Sequence, residues 1–575
     1  MTDSLIRQRP LPTSAGAWPS AMPAVLRRIY LARGIDNAGQ LPTRMAQMAD
    51  PFLLGGIDRA AALLARAVMS GQRICLAGDF DADGATGCAV GVLGLSALGA
   101  RDPCYVVPNR ATDGYGLSPR LVTRIVALGA EVVVTVDNGI AAIAGVAAAK
   151  ARGLVTIVTD HHLPGPQLPA ADAIVNPNLL GDGFPSKSLA GVGVLFQVLI
   201  ATRAALRDAG WFDARRAPPD LATLLDLVAL GTVADMVALD FNNRLLVSAG
   251  LKRIRQGLAA PGIAALFAVA GRDPAQACAQ DLGFAIAPRI NAAGRLEDMS
   301  LGIACLIAAD RAVAERHAAA LDAINRERRV VQEGMQHEAD AAIARALGRG
   351  GKLPPALVLF DPGWHAGVVG LIASRLKEQT HRPVVALAPG GDDPAELKGS
   401  LRSVPGVHIR DVLVDVDTRH PGLLDRYGGH AMAAGLSVQR ARLDEFSRAF
   451  IAAVAERSGE LPEVPVLWTD GELTPAQATA DLASAIRHGG PWGQGFEEPC
   501  FEGEFEVEGT QVVGSAHLKL DLRFVGAATR IRAIHFGGAS APAQTRRVRL
   551  VYQLSVNEWR GERRVELLVR DRRPV

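Results

Sequence analysis

The apolar positions along the chain fall into blocks with different periods. Between about 70 and 240, short unbroken apolar runs alternate with longer Ala- and Leu-rich stretches. The runs are 72–77 (QRICLA), 131–136 (EVVVTV), 154–158 (LVTIV) and 173–175. They are too short for helices and show no in/out alternation. They therefore predict strands buried on both faces, with helices in between that cover a parallel sheet. From about 301 to 347 the pattern becomes helical throughout, with no proline and with Leu321, Ile324, Val331 and Met335 at roughly helical spacing. The apolar stripe is narrow, which predicts a helix bridging two domains. Gly348, Gly350, Gly351, Pro354 and Pro355 end it. A second α/β block follows, with runs at 356–360 (ALVLF) and 383–388 (PVVALA) around a helix at 368–377. Pro462 and Pro465 mark the next boundary. Five later runs, at 501–508, 517–525, 529–535, 546–556 and 564–568, are joined by Gly-containing turns and predict a small β-barrel. The first 50 or so residues carry little strand pattern and read as a cap or arm.

The expected architecture is therefore α/β: an N-terminal arm (1–69), a parallel-sheet domain (70–300), a connecting helix (301–350), a smaller α/β domain (351–457) and a C-terminal barrel (458–575). A length of 575 residues suits several domains, and 49% hydrophobic with 21% charged residues excludes a largely disordered chain. The formal net charge is only +2, so a nucleic-acid site would have to be a local patch. The barrel offers one. Residues 515–575 carry Lys519 and twelve Arg against five acids, about +8. A basic small barrel suits a single strand, although arginines on solvated strand faces are the simpler alternative. The six cysteines form no CxxC pair and read as reduced thiols. No apolar run is long enough to span a bilayer, so no membrane association and a cytoplasmic location are expected.

The chemistry gathers at the ends of the predicted strands. Asp79, Asp81 and Asp83 (GDFDADG) follow the first run. Asp137 (VDNG) follows the second, and Asp160, His161 and His162 (TDHH) follow the third. Asp235 closes a further apolar run, LVALGTVADMV. In an open parallel sheet the carboxyl ends share one edge, where ligands bind. Carboxylates so crowded need a cation between them. Oxygen ligands with imidazole suit Mn²⁺ or Mg²⁺, and the number of acids allows two ions. Two ions about 4 Å apart can activate water and hold both oxygens of a phosphoryl displacement.

These motifs resemble those of the DHH phosphoesterases. PRINAAGR (288–295), GWHAGVVGLIASRL (363–376), GSLRS (399–403), GGHAMAAG (428–435) and GPWGQGFEEPCF (490–501) extend the resemblance to the RecJ family of single-strand-specific DNA exonucleases. It runs from about residue 70 to near the C-terminus. It implies a DHH domain, a DHHA1-type domain and an OB-type barrel. It also implies 5′-to-3′ hydrolysis of single-stranded DNA to 5′-mononucleotides in repair and recombination. By motif position, Asp81, Asp83, Asp137, His161 and Asp235 are the implied metal ligands. Asp79 is a further acid of the same turn, His162 is the imidazole for phosphate or leaving oxygen, and Asp160 orients the pair or caps a helix. Small-substrate relatives can carry His four positions before the first ligand; here that position is Ala77.

Arg289 and Arg295 offer forks for phosphate oxygens, or structural ion pairs. Asn291 can add a hydrogen bond. Ser400, Arg402 and Ser403 read as a second phosphate contact, and Gly428, Gly429 and His430 as a Gly-rich turn that meets a phosphate. His365 either contacts the strand or caps the following helix. Implied partners are single-stranded DNA, a single-strand-binding protein and a helicase, with the chain acting as a monomer. The competing readings are an oligonucleotide or cyclic-dinucleotide phosphodiesterase, a pyrophosphatase, and a non-catalytic DNA-binding scaffold.

Overall fold

The structure, a computed structural model, describes residues 5–12, 16–109, 116–347, 354–390, 393, 395–429, 431–458, 466–514, 516–540, 546–559 and 562–575. His430 and the glycines at 348, 350 and 351 lie outside the described residues.

A short N-terminal strand, β1 (Leu5–Gln8), precedes the first domain. That domain is built on β2 (Ile74–Ala77), β3 (Cys104–Val106), β4 (Val132–Val136), β5 (Val155–Thr159) and β6 (Ala173–Val175). All pairings are parallel, in the order β3-β2-β4-β5-β6. β2 and β4 are buried along their whole length, as their unbroken apolar runs require. The chain leaves β2 toward one edge and returns beyond it at β4. The switch point of the sheet therefore lies between β2 and β4, which places a crevice at their carboxyl ends.

The region 301–347 is two helices, not one. Ser300–Ile307 ends at Ala308, whose backbone is extended, and the 37-residue helix Arg311–Leu347 starts after Asp310. Asp310 Oδ1 accepts a hydrogen bond from Val313 N at 2.9 Å. This local bond competes with helix continuation and starts the second helix instead.

The second domain holds β7 (Leu357–Phe360), β8 (Val384–Pro389), β9 (Glu396–Arg402), β10 (Arg426–Gly429) and β11 (Ala433–Gln439). Their order is β10-β11-β9-β8-β7, with only β7 and β8 parallel. One face is covered by helices Ile409–Arg419 and Leu443–Ser458, through Val412, Phe446 and Phe450. The other is covered by Val369–Thr380 and by Met335 and Ala339 of the long helix.

β12 (Val466–Thr469) pairs in parallel with β1. The last five strands are β13 (Phe501–Val513), β14 (His517–Phe524), β15 (Arg530–His535), β16 (Arg547–Trp559) and β17 (Glu562–Pro574). They close a barrel in the order β13-β14-β15-β17-β16. The N-terminal segment is tied to this end of the molecule. Trp18, Tyr30, Trp492 and Phe496 form a ring stack with successive centroid separations of 5.9, 6.1 and 5.1 Å. Arg33 pairs with Asp470 at 2.6 Å, both side chains buried. Barrel residues such as Phe501 and Tyr552 belong to the same continuous core as the first domain. The second domain has its own.

Candidate metal centre and active site

The turn after β2 is held at both ends. Phe80 N donates to Asp79 Oδ1 at 2.7 Å. Asp81 caps helix Ala82–Leu98, accepting from Gly84 N at 3.0 Å. Asp83, two positions further on, turns inward and is 1% exposed. Its oxygens accept from Gly191 N at 2.7 Å and Val192 N at 2.9 Å, the first residues of helix Gly191–Asp208. Gly84 sits where a Cβ would fall 2.5 Å from Asp79 N, so the helix can start this close to the turn only with glycine there.

Directly after β4 comes Asp137, whose φ of 61° is left-handed, followed two residues later by Gly139 at 114°. A non-glycine residue in that region is strained, and such strain collects at functional sites. Asn138 fixes the turn, donating to Ala77 O and Val136 O at 2.9 Å each. After β5, Asp160 Oδ1 accepts from His161 N (2.7 Å), His162 N (3.0 Å) and the His162 ring at Nδ1 (2.7 Å), while Oδ2 accepts from Ile140 N at 2.9 Å. The end of β6 braces the same loop. Asn176 Nδ2 donates to His162 O at 2.9 Å and Asn178 Nδ2 to His161 O at 2.6 Å. Asp235 follows the last turn of helix Leu225–Ala234.

These elements bring the expected ligands together. Among the described residues, Asp79, Asp81 and Asp137 form one group, Asp83, His161 and Asp235 a second, and Asp137, His161 and His162 a third. In each group, one potential ligand atom per residue lies within 4.8 Å of the others. The first two groups share no residue and are linked by the 3.0 Å approach of His161 Nε2 to Asp137 Oδ1. His161 Nε2 is also 3.5 Å from Asp235 Oδ2, yet it is buried and makes no hydrogen bond. Buried nitrogens seldom stay unbonded. An imidazole nitrogen facing two carboxylates without bonding either has the donor geometry of a cation site.

The electrostatics agree. Burial, then the charges of Asp83, Asp81, Asp235 and Asp79, push Asp137 well above the usual carboxylate range. Burial and Asp235 push Asp83 up to about 7. Burial and Asp81 do the same to Asp235, also to about 7. Burial, then the neighbouring His162, lowers His161, leaving it neutral and able to ligate. Asp160 and His162 behave in the opposite way. Burial opposes both charges, but their mutual hydrogen bond outweighs it, holding Asp160 at about 2 and raising His162 to about 9. The rim thus combines an acid cluster that needs a cation with a charged Asp–His pair that does not. The residues fit Mn²⁺ or Mg²⁺.

The more distant candidates have protein partners. The Arg289 fork bonds Asp322 Oδ1 at 2.9 Å and Ala285 O at 2.5 Å. Asn291 Oδ1 accepts from Ala82 N at 2.8 Å, which docks its helix onto the metal-binding turn. Arg295 crosses to the second domain and donates to Gly367 O at 3.0 Å. His365 Nδ1 accepts from Gly367 N at 3.1 Å in the same turn. Arg402 bonds Ser374 Oγ and Ser400 Oγ, each at 3.1 Å, beside helix Val369–Thr380. Ser403 is buried and donates to Val407 O at 2.6 Å. Gly428 and Gly429 pair with Gly435 and Ala434 across β10 and β11.

Four contributors were not singled out from sequence: the Gly191 and Val192 N–H groups and the Asn176 and Asn178 amides. The NPN triplet directly after β6 was a readable signal for the last two. Nothing in the sequence says which helix start receives Asp83.

Comparison with known proteins matches three domain families in order. These are the DHH family N-terminal domain at 73–232, the DHHA1 domain at 353–456 and the RecJ OB domain at 469–571. The chain is 49% identical over 568 residues to the single-stranded-DNA-specific exonuclease RecJ of Dickeya dadantii (strain 3937), covering 98% of each. It is 47% identical over 561 residues to the RecJ of Escherichia coli (strain K12), covering 97% of each. The crystal structure of RecJ in complex with Mn²⁺ from Thermus thermophilus superposes with a TM-score of 0.78 at 30% identity, over 99% of this chain and 80% of that one. With the strand-end acid and histidine cluster in place and all three domains in order, the chain belongs to the RecJ family.

Proposed function

We propose that the chain is a metal-dependent exonuclease that hydrolyses single-stranded DNA from the 5′ end and releases 5′-mononucleotides. The observation that carries this reading is His161 Nε2, buried and unbonded between Asp137 and Asp235. It makes the rim a cation site at the switch point of a parallel sheet. Asp81, Asp83, Asp137, His161 and Asp235 hold two ions, with Asp79 as a further acid. When bound, Mn²⁺ or Mg²⁺ polarises the phosphate and lowers the pKa of water. Asp160 keeps His162 protonated and oriented, so His162 can hold a proton beside the leaving oxygen. Arg295, Ser400 and Arg402 line the junction of the two α/β domains, where their donors guide phosphates. Arg289 and Asn291 brace that junction. Ser403, His365, Gly428 and Gly429 shape its far wall.

The junction of the two domains takes a single strand, and the basic barrel tracks it beyond the site. A single-strand-binding protein and a helicase supply the strand in repair and recombination, and the chain works as a monomer in the cytoplasm. Among the described residues no helix is long and apolar enough to cross a membrane.

The test uses 5′- and 3′-labelled oligonucleotides, single- and double-stranded, with Mn²⁺, Mg²⁺ or EDTA, beside an Asp137→Ala variant. Metal-dependent release of a 5′-labelled mononucleotide from single strands, lost in the variant, is the expected result. Binding without cleavage would favour a scaffold. Cleavage confined to di- and trinucleotides would favour a small-substrate phosphodiesterase.

A further inference from the structure

Cys75 and Cys104 are direct partners in the parallel pairing of β2 and β3. Registered partners on neighbouring strands point to the same face of a sheet. Here that face is the one packed by Leu121 and Ile125 of helix Pro119–Ala127. Neighbouring strands run about 4.8 Å apart, inside the roughly 4.4–6.8 Å between Cα atoms that a disulfide spans. Cys104 Sγ donates to Ile74 O of β2 at 3.8 Å and Cys75 Sγ to Leu76 O at 3.8 Å, so both thiols lie along the same stretch of β2. Their accessibility differs. Cys75 is fully buried, whereas Cys104 is half-buried on β3, an edge strand. The neighbouring Cys75 thiol, aided by the Arg73 guanidinium and outweighing burial, lowers the Cys104 thiol to about 7. The same proximity, with burial, pushes Cys75 far up. Cys104 is thus the reachable nucleophile and Cys75 the resolving thiol behind it. The pair also sits close to the metal-binding turn. Gly78 N, three residues beyond Cys75, donates to Val106 O of β3 at 3.1 Å.

We propose that Cys104 and Cys75 form a peroxide-oxidisable dithiol whose disulfide locks β3 to β2 and reversibly slows the enzyme. The Cys104 thiolate attacks a hydroperoxide; the O–O bond breaks, Cys104 becomes a sulfenic acid and water is formed from hydrogen peroxide. Cys75 Sγ then attacks the Cys104 sulfur, the S–O bond breaks and a second water leaves with the Cys75 proton. Two thiols supply the two electrons that reduce the peroxide. The locked spacing of β2 and β3 passes through the Gly78–Val106 bond to the turn that carries Asp79 and Asp81. The second half of this proposal rests on the exonuclease reading; the first does not.

The experiment treats the full chain with hydrogen peroxide, removes it, alkylates, and maps peptides by mass. Cross-linked peptides containing residues 75 and 104 are expected, with two of the six thiols lost. Mg²⁺-dependent digestion of single strands should fall at least threefold and return with dithiothreitol. Cys104→Ser should be insensitive to peroxide. Cys75→Ala should leave Cys104 as a sulfenic acid that dimedone captures. Full alkylation of Cys104 after peroxide, or oxidation of Cys104 with Cys75 still free, would overturn the dithiol. A cross-link without a change in rate would overturn its coupling to the metal site. A reduced chain with no nuclease activity that still forms the cross-link would sink the exonuclease reading and leave the dithiol standing.

Discussion

At the residue scale the site is a balance of charges set by burial. Asp83 and Asp235 are raised from 3.8 to about 7, so the cation-free folded chain binds protons that the unfolded chain has released. For a raised folded pKa of an acid, stability is full below the unfolded value and is lost as pH rises to the folded one. The cation-free protein should therefore lose stability between about pH 4 and 7, and a bound cation should restore it. Saturating Mn²⁺ or Mg²⁺ should raise Tm more at pH 8 than at pH 5.5, with EDTA abolishing the difference; calorimetry at the two pH values decides it. His162 works with the same sign over a higher pH window, its pair with Asp160 favouring the folded state below about pH 6.5 and fading as pH rises through about 9. Asp160→Asn should cut kcat roughly 10²-fold and bring the alkaline limb of the pH–rate profile down by a unit or more. An unmoved limb would show that His162 does not carry the titrating proton. Gly191 makes a steric prediction. A Cβ there would fall 2.5 Å from Asp137 Cβ and 2.8 Å from its Cα. Gly191→Ala should displace Asp137, costing about 1–3 kcal/mol in denaturant unfolding and at least tenfold in metal-dependent rate. The acids and histidines were legible because each closes an apolar run. The groups that aim them were not, since the Gly191 and Val192 N–H groups reach Asp83 across more than 100 residues.

At the element scale, period and length carried most of the information. The unbroken runs became β2, β4, β5 and β6, and the five C-terminal runs became the barrel strands, several of them longer than their apolar centres. What failed to show was a break inside a uniformly helical composition. Asp310 and Ala308 end one helix and start another, a decision made by one side-chain bond rather than by any change of period. The long helix also illustrates why a residue type does not reveal its partner. Arg289 reads as a phosphate fork, yet Asp322, on Arg311–Leu347, holds it at 2.9 Å with both side chains largely buried. Asp322→Ala leaves a buried guanidinium without its carboxylate and should cost about 3 kcal/mol. Asp322→Asn keeps one acceptor and should cost less, which denaturant titration of both variants can compare.

At the scale of the whole molecule, the order of domains was readable, but the way the ends of the chain meet was not. Arg33 and Asp470 are separated by 437 positions, and a contact of that span leaves no periodic trace in the sequence. The N-terminal segment, expected as a cap or arm, adds β1 to β12 and stacks Tyr30 on Trp492, fastening the barrel to the first domain. The second domain keeps a separate core and joins that pair through the long helix and the Arg295–Gly367 bond. This arrangement predicts how the fastening fails. Arg33 and Asp470 are 2% and 1% exposed, so removing either leaves the other charge buried and unpaired. Arg33→Met should cost about 3–5 kcal/mol, whereas Arg33→Met with Asp470→Leu should recover most of it, because two apolar side chains bury without a charge penalty. The functional signature follows from where the pair lies. Its partners are Ile29, Glu497 and Cys500 rather than residues of the metal site, and it shares the barrel's seat, so the single variant should raise KM for long single strands and leave kcat within about twofold. An equal fall in kcat would mean that the barrel's seating sets the geometry of the metal site itself.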